Sequence, residues 1–263
     1  MDTAMTDDDL ELAVRAAWSA GEILQGFWSK RERLTISSKR AGDFVSEADI
    51  AAENHLRDII LDARPGDQWL GEEGGASGSS GRRWIVDPLD GTTNFLRGIP
   101  HWAISVALEV NGKLSIGVVH DPLKAETFAA HVGKGATLNG ALMTVSGTEH
   151  LGDALFGTGI PFGQMEHIDD HAADVARLMP HCAGVRRMGS AALDLAYVAS
   201  GRLDGFWERR LQIWDIAAGL VLLREAGATL EGWGPLERPE DTGTVITATP
   251  GVFDAFAAHL RVL

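Results

Sequence analysis

The sequence predicts a mixed fold, α+β in its first half and α/β in its second. Two helical patterns open the chain, strand patterns with turns fill its middle, and strands alternate with helices after about residue 150. The 263 residues, of which 45% are hydrophobic, can bury a substantial core. We expect an N-terminal α+β half over residues 1–148 and a C-terminal α/β half over residues 149–263.

Two amphipathic helices are predicted at the start of the chain. From Asp8 to Trp28, apolar residues recur every three or four positions with charged residues between them, as on one face of a helix. The same spacing returns from Ser46 to about Ala63. Ser46 and Asp49 fit a capping box at the start of this second helix, and Pro65-Gly66 ends it.

The middle of the chain predicts buried strands that lead into acidic residues. Trp69-Leu70 is followed closely by Glu72, and Trp84-Ile85-Val86 runs straight into Asp87. We therefore expect one strand to end at Asp87 and another to end close to Glu72.

Turn signals organise the rest of the first half. Asn111-Gly112 predicts the turn of a hairpin between Trp102 and Val119, and a turn-rich β stretch follows from Phe128 to Val145. Residues 71–81 are rich in Gly and Ser and predict a mobile surface loop.

The second half alternates between strand and helix patterns, which is typical of α/β proteins. The predicted strands are 154–156, 203–208 and 244–248, and the predicted helices are 169–178, 190–199, 215–226 and 252–260.

The charge balance excludes several classes of partner. The formal net charge is −14, so the chain lacks the basic surface of a protein that binds nucleic acid directly or an anionic membrane. An anionic phosphate substrate would be repelled unless a cation intervened. Cys182 is the only cysteine, which excludes an intrachain disulfide. Met1 to Leu10 lacks the pattern of a signal peptide and no apolar run could span a bilayer, so we expect a cytoplasmic location.

The run Asp87-Pro88-Leu89-Asp90-Gly91-Thr92-Thr93-Asn94 predicts a site for a cation and a phosphate. The glycine permits a tight turn, so Asp87 and Asp90 can converge with the Leu89 carbonyl between them. Mg²⁺ prefers such carboxylate and carbonyl oxygens. The amides of Gly91 and Thr92 would hold an anion if they open a helix. A solvated Asp-Gly surface turn is the alternative interpretation of this run.

Other phosphate and cation motifs do not fit. An EF-hand loop counted from Asp87 needs glycine at its sixth position, whereas here the glycine is fifth. The chain contains neither a Walker A sequence nor GxGxxG. Two residues separate Asp87 from Asp90, so this pair lacks the DxD spacing of an aspartyl-phosphate phosphatase, and direct attack by water is preferred.

Two further acidic segments stand at the ends of predicted elements. Gly71-Glu72-Glu73 follows a strand, and Trp214-Asp215-Ile216-Ala217-Ala218-Gly219 places Asp215 in the first turn of an apolar helix. Considered alone, Glu72 fits a loop carboxylate and Asp215 fits a partner of the helix dipole, and each of these roles is commoner than metal binding.

Together these motifs resemble the inositol monophosphatase family. The resemblance rests, in the family's order and approximate spacing, on Gly71-Glu72-Glu73, Trp84-Ile-Val-Asp-Pro-Leu-Asp-Gly-Thr-Thr-Asn-Phe95, Gly189-Ser190-Ala191-Ala192 and Trp214-Asp-Ile-Ala-Ala-Gly219. The similarity extends from the first helix to the end of the chain and is closest to bacterial members.

The resemblance implies a layered αβαβα sandwich of the sugar-phosphatase type and a lithium-sensitive, Mg²⁺-dependent phosphatase. It implies two to three Mg²⁺ ions per active site, with most of their ligands in the N-terminal half and the C-terminal half closing the site. The implied ligands are Glu72, Asp87, the Leu89 carbonyl, Asp90 and Asp215.

The resemblance also implies roles around the phosphate. Glu72 and Thr92 would position the attacking water, with Asp49 bonded to the Thr92 hydroxyl. The implied substrate-binding residues are Gly91, Thr92, Asp90, Ala191 and Glu208, the last of which would bind sugar hydroxyls. Gly74 and Gly75 stand where many relatives carry Ser after the paired glutamates, and we expect them to loosen this loop and weaken the outermost metal.

The substrate that the resemblance implies is inositol monophosphate, hydrolysed to inositol and phosphate by metal-activated water. Glu208 favours a small phosphorylated polyol, but it leaves histidinol phosphate or a broader range of sugar phosphates open. The resemblance further implies a homodimer. Some bacterial relatives associate with the transcription machinery, so a regulatory binding protein is the alternative from another class.

Overall fold

The computed structural model describes residues 7–34, 36–40, 43–160, 168–234 and 237–261. The described helices are α1 (Asp7–Trp28), α2 (Glu47–Ala63), α3 (Thr92–Arg97), α4 (Ile168–Leu178), α5 (Ala191–Ala199), α6 (Ile213–Ala226), α7 (Pro239–Thr242) and α8 (Pro250–Leu260). The described strands are β1 (Ile36–Arg40), β2 (Asp43–Ser46), β3 (Gln68–Gly71), β4 (Gly75–Ser77), β5 (Arg82–Asp90), β6 (Ala103–Val110), β7 (Lys113–Asp121), β8 (Glu126–His131), β9 (Ala136–Leu138), β10 (Ala141–Met143), β11 (Leu155–Thr158), β12 (Gly184–Arg186), β13 (Gly205–Glu208), β14 (Thr229–Glu231) and β15 (Val245–Ala248).

These elements stack in five layers. Helices α1 and α2 cover one face of an eight-stranded sheet, and their apolar faces share a core with strands β3 and β5 to β8. Helices α5 and α6 pack between that sheet and a five-stranded sheet. Helices α4 and α8 cover the far face of the second sheet. The predicted αβαβα sandwich is therefore confirmed.

The two sheets differ in how their strands pair. The eight-stranded sheet has the order β10-β9-β8-β7-β6-β5-β3-β4, and within it only β3 and β5 run parallel. The five-stranded sheet has the order β12-β11-β13-β15-β14 and mixes parallel with antiparallel pairs. The strands of the first sheet lie between residues 68 and 143 and those of the second between 155 and 248. The division of the chain at residue 148 stays a prediction.

The predicted helices and main strands are present, with two corrections in the first half. The strand expected to end at Asp87 continues to Asp90. The predicted surface loop over residues 71–81 is in part a strand, since β4 pairs antiparallel with β3 at the edge of the sheet. The β1–β2 hairpin was not predicted, because the polar sequence Ser37-Ser38-Lys39-Arg40 lacks strand alternation. In the described part of the chain, no helix has the length and apolarity that a membrane crossing requires.

Strand β5 contains an irregularity at the predicted functional run. Asp87 pairs with Ser105 of β6, and the next paired residue, Asp90, pairs with Ala103. Strand β5 therefore has one more residue than β6 between these two pairs. Side chains three residues apart on a regular strand would point to opposite faces. An extra residue in one strand re-aims the side chains that follow it, so this bulge can turn Asp87 and Asp90 towards the same place.

Small residues let α6 approach the first sheet very closely. A β-carbon at Gly117 of β7 would lie 2.4 Å from the carbonyl oxygen of Ala218 on α6. Where α6 contacts α5 in the same layer, a β-carbon at Gly219 would lie 2.5 Å from the side chain of Leu195. The small residues that end Trp214-Asp-Ile-Ala-Ala-Gly219 therefore serve packing, and this packing sets the height of Asp215 above the sheet.

The substitution Gly117→Ala tests this contact. The added methyl group would meet backbone atoms of α6, which cannot move aside as a flexible side chain can. We expect a loss of about 1–3 kcal/mol in the free energy of unfolding, measured by denaturant titration. Gly152→Ala is the control, because a β-carbon there would meet nothing within 4 Å. Equal stability of both variants would show that α6 does not rest on Gly117.

Candidate active site

The two aspartates of β5 are held differently. Asp87 is 2% exposed, and its Oδ1 accepts a hydrogen bond of 3.0 Å from the amide of Leu89. Asp90 is partly exposed, and its Oδ2 accepts 2.6 Å and 2.7 Å hydrogen bonds from the Ser190 hydroxyl and the Ala192 amide. The start of α5 is thereby fastened to the end of β5, although 100 residues separate Ser190 from Asp90.

The parallel pairing of β3 with β5 brings Glu72 to the same edge of the sheet. Gly71 is paired with Val86, and the Glu72 amide donates a 3.2 Å hydrogen bond to the Val86 carbonyl. The next residue on each strand is therefore an acid, Glu72 on one and Asp87 on the other. Because parallel strands end at the same edge of a sheet, Glu72 and Asp87 lie side by side there.

The first turn of α6 supplies Asp215 to this edge. Ser105, which pairs with Asp87 on the neighbouring strand, donates a 3.3 Å hydrogen bond to the carbonyl of Trp214. Asp215 Oδ2 in turn accepts a 2.7 Å hydrogen bond from the Gln212 amide and caps the helix. The helix-capping role considered for Asp215 is thus present, and it leaves the carboxylate beside β5.

The carboxylates act on one another electrostatically. Burial raises the pKa of Asp87 well above its ordinary value, and the negative charges of Glu72, Asp90 and Asp215 raise it further. Burial raises the pKa of Asp90 to about 6, against the lowering effect of its hydrogen bonds with Ser190 and Ala192. Burial, followed by the charge of Asp90, raises the pKa of Asp215. Although Asp90, Asp215 and Glu72 each keep some exposed surface, all four carboxylates share one electrostatic environment.

The donor set fits a hard divalent cation. All four side chains offer carboxylate oxygens, the ligands that Mg²⁺ prefers, and their mutual repulsion would be relieved by a positive ion. Among the described residues, no group of three or more His, Cys, Asp or Glu side chains is arranged so that it could hold a metal ion. Mg²⁺ is commonly bound by one or two carboxylates together with water and substrate phosphate. An open arrangement of this kind suits it.

Asp49 and Thr92 form the hydrogen bond that the resemblance implied. The Thr92 hydroxyl lies 3.1 Å from Asp49 Oδ1 and 3.0 Å from the Leu89 carbonyl oxygen. A hydroxyl has one proton, so it donates to one of these acceptors at a time and its own oxygen can still accept a bond. Asp49 is fully buried, and its Oδ2 accepts 2.9 Å and 2.6 Å hydrogen bonds from the amide and hydroxyl of Ser46.

Gly91 supplies the turn between the aspartates and α3. Its φ of 94° lies in the left-handed region, and a β-carbon there would lie 3.1 Å from the His101 carbonyl oxygen. The helix begins at Thr92, directly after this glycine. The amides of Gly91 and Thr92 therefore lie at the start of a helix, as the predicted anion site requires.

The proposed sugar-binding residues lie on the second sheet and on α5. Glu208 ends β13 and is 7% exposed, and Ala191 is the first residue of α5. Burial raises the pKa of Glu208 to about 8, with a lowering effect from Arg187 and a raising effect from Asp90. Glu208 also contributes to the raised pKa of Asp215. Glu208 is therefore within electrostatic range of Asp90 on β5 and Asp215 on α6.

Sequence reasoning missed two polar residues of this region. Ser190 was placed at the start of a helix and in the motif Gly189-Ser190-Ala191-Ala192 but was given no role in the site, yet its hydroxyl binds Asp90. Asp194 is 1% exposed, its Oδ1 has no hydrogen-bond partner, and burial together with the charges of Glu208 and Asp90 raises its pKa. A serine at the start of a predicted helix could have indicated a polar contact for Ser190. No such signal pointed to Asp194, because it lies within an apolar helix.

Comparison with known proteins agrees with this geometry. The model of the inositol monophosphatase family matches residues 5–262. Inositol-1-monophosphatase from Rhizobium meliloti is 47% identical over 245 residues, which cover 90% of each chain. Nus factor SuhB from Pseudomonas aeruginosa is 41% identical over 258 residues, which cover 96% of this chain and 95% of that one.

A solved structure gives the same result for the fold. Extragenic suppressor protein suhB from Bartonella henselae superposes with a TM-score of 0.94 and 38% identity, over 97% of this chain and 99% of that one. With a family match over nearly the whole sequence and an acidic site at the carboxyl ends of β3 and β5, the chain belongs to the inositol monophosphatase family.

Proposed function

We propose that this protein is a Mg²⁺-dependent phosphomonoesterase that hydrolyses inositol monophosphate to inositol and phosphate. The observation that carries the proposal is the placement of four acidic residues at one edge of the first sheet. Parallel pairing sets Glu72 and Asp87 side by side, the bulge brings in Asp90, and the start of α6 adds Asp215. The four residues come from three elements, and burial together with the negative charges of Glu72 and Asp90 raises the pKa values of Asp87 and Asp215. Such an arrangement is costly for the fold alone, and metal binding accounts for it.

The proposed metal ligands follow from the donor set. Two to three Mg²⁺ ions would be held by Glu72, Asp87, Asp90, Asp215 and the Leu89 carbonyl. The Leu89 carbonyl oxygen also accepts from Thr92, but it has two lone pairs. When bound, Mg²⁺ supplies positive charge that neutralises the phosphate and lowers the pKa of a water molecule.

The protein's own groups would orient the attacking water and the ester. Thr92 can donate a hydrogen bond to Asp49 while its oxygen accepts one from the attacking water. Glu72 would accept the second hydrogen bond of that water and take up its proton. The amides of Gly91 and Thr92 would donate to phosphate oxygens at the start of α3. Phosphate monoester hydrolysis is extremely slow without catalysis, so the reaction depends on fixing all of these groups together.

Glu208 supports a polyol as the alcohol half of the substrate. Its carboxyl group is buried beside the carboxylate cluster and can bind hydroxyl groups in either protonation state. A relative with 47% identity is named inositol-1-monophosphatase, which favours inositol monophosphate. Histidinol phosphate and other sugar phosphates remain alternatives, because a single carboxyl group does not distinguish among hydroxylated substrates.

A second candidate function is regulatory. A relative with 41% identity carries the name Nus factor SuhB, so a role in transcription is a proposal for this chain too. The net charge of −14 favours contact with a protein partner over direct contact with nucleic acid. The retained carboxylates favour hydrolysis as the primary activity, and a homodimer acting in the cytoplasm is the form that we propose.

The substitution Asp90→Asn tests the enzymatic proposal. The variant keeps the size of the side chain but loses the charge that helps to hold Mg²⁺, so we expect hydrolysis of inositol-1-phosphate to fall by roughly a thousandfold. Phosphate release would be measured over a Mg²⁺ titration, with histidinol phosphate and fructose-1,6-bisphosphate as competing substrates. Circular dichroism would check that the fold is intact.

The matched control is Asp58→Asn on the exposed side of α2, which should keep full activity. Near-normal turnover by Asp90→Asn would contradict the assigned ligands. A wild-type protein that hydrolyses none of these esters would leave the regulatory role as the better proposal, and Asp90→Asn would then leave partner binding unchanged.

The raised pKa of Glu208 predicts a pH-dependent stability in the presence of a chelator. In the folded protein Glu208 holds its proton up to about pH 8, whereas in the unfolded chain it ionises near 4.5. Below pH 4.5 Glu208 is protonated in both the folded and the unfolded chain, so its ionisation does not lower the free energy of unfolding. As the pH rises from 4.5 to about 8, the unfolded chain alone loses this proton, and the free energy of unfolding of the wild type falls relative to that of Glu208→Gln. We expect Glu208→Gln to gain on the order of 5 kcal/mol over wild type across this range.

Thermal and denaturant unfolding at several pH values would measure this difference. Glu22→Gln, on the exposed face of α1, should show no such trend. Parallel stability curves for wild type and Glu208→Gln would mean that Glu208 ionises normally when buried.

A further inference from the structure

Glu53 is a buried carboxylate outside the proposed set of metal ligands. It lies on α2, four residues after Asp49, and only 4% of its surface is exposed. Residues four apart on a helix share a face. The helix therefore presents one carboxylate to Thr92 and a second, one turn later, to a different part of the site. A buried carboxylate is costly unless strong donors surround it.

The donors that surround Glu53 come from the β3–β4 hairpin. Its Oε2 accepts a 2.7 Å hydrogen bond from the Glu73 amide, and its Oε1 accepts a 2.8 Å bond from the Gly74 amide. The indole nitrogen of Trp69 lies 3.4 Å from Oε1 and adds a weaker bond. Bonds from backbone amides to an ionised carboxylate are short and strong. Two of these three donors directly follow Glu72 in sequence.

The backbone leaves room for this carboxylate only because glycines flank it. A β-carbon at Gly71 would lie 2.2 Å from Glu53 Oε1, and one at Gly74 would lie 2.6 Å from the same atom. The glycines before and after Glu72-Glu73 thus let Glu53 reach the amides. Gly74 was expected to loosen the loop, but here its amide is one of the points at which the loop is held.

Glu72 is consequently fixed from both sides. Its own amide is bonded to Val86 of β5, and the two amides that follow are bonded to Glu53 of α2. We propose that Glu53 is a positioning residue, which holds the Glu72 backbone in place and so sets the affinity of the site for its divalent cation. The proposal rests on the metal site proposed above, but it concerns a residue that would not touch the cation.

The substitution Glu53→Gln changes this contact with little change in size. Glutamine keeps one acceptor oxygen, but its NH₂ group would face an amide donor, so one of the two loop bonds is replaced by a repulsive contact. Loss of a group that orients a metal ligand commonly weakens metal affinity by roughly tenfold to a hundredfold. We expect a loss of that size for Mn²⁺, titrated by the electron paramagnetic resonance signal of the free ion.

Two further measurements separate positioning from general structure. The Mg²⁺ concentration that gives half-maximal hydrolysis should rise by a similar factor, while the rate at saturating Mg²⁺ recovers most of the wild-type value. Hydrogen exchange at the amides of Glu73 and Gly74 should accelerate in the variant. Glu53→Asp keeps the carboxylate but shortens the side chain, so its Mn²⁺ affinity should lie between those of wild type and Glu53→Gln. It replaces Glu53→Gln in these measurements if that variant does not fold.

Asp9→Asn is the control for lost stability. Asp9 is 1% exposed and forms ion pairs of 2.8 Å and 3.1 Å with Arg64 and Arg82. Arg82 is the first residue of β5, at the opposite end of the strand from Asp90. This variant should unfold more easily and still bind Mn²⁺ as wild type does. If Asp9→Asn weakened Mn²⁺ binding as much as Glu53→Gln does, the effect would be due to general destabilisation, and the proposal would be overturned.

The outcomes distinguish this inference from the proposed function. Weaker Mn²⁺ binding by Glu53→Gln, with faster exchange at Glu73 and Gly74, supports it. A wild-type protein that binds Mn²⁺ and hydrolyses the ester, alongside a Glu53 variant of equal Mn²⁺ affinity, would overturn the positioning role alone. A wild-type protein that binds no Mn²⁺ would overturn the proposed function and this inference together.

Discussion

Electrostatic repulsion among four carboxylates at one edge of a sheet is the constraint on which the rest of this structure depends. Burial and the charges of Glu72, Asp90 and Asp215 raise the pKa of Asp87, burial and the charges of Asp90 and Glu72 raise the pKa of Asp215, and Asp87 is nearly inaccessible to water. A fold gains nothing from gathering such charges unless a cation or a substrate uses them. The surrounding architecture can be understood as the set of contacts that holds these charges together despite their repulsion.

Those contacts come from three of the five layers of the sandwich. Parallel pairing of β3 with β5 sets Glu72 beside Asp87, and a bulge in β5 redirects Asp90. The start of α5 binds Asp90 through Ser190 and Ala192, and close packing of α6 on Gly117 sets the position of Asp215. Helix α2 contributes from the outer layer, through Asp49 and Glu53. Asp87, Asp90 and Asp215 thus each accept a hydrogen bond from a backbone amide, and Glu72 is fixed through its own amide.

Much of this could be predicted from local sequence. The capping box at Ser46 and the Asn111-Gly112 turn depend on neighbouring residues, and both appear where they were expected. The bulge at Asp87–Asp90 could not be predicted, because it arises from pairing with β6. The contacts of Glu53 and Ser190 also escaped prediction, since their partners lie 20 and 100 residues away in sequence. The residue types of the site were readable from motifs, whereas the groups that position them required the tertiary structure.

The most direct measurement is anomalous diffraction from crystals grown with Mn²⁺ in place of Mg²⁺. If the carboxylates of β5 and α6 form the metal site, at least one Mn²⁺ ion will lie in contact with oxygens of Asp87 and Asp90, within reach of Glu72, Asp215 and Thr92. An anomalous map without an ion at the end of β5, or with ions only on distant surface acids, would contradict the proposal that this cluster exists to bind a divalent cation.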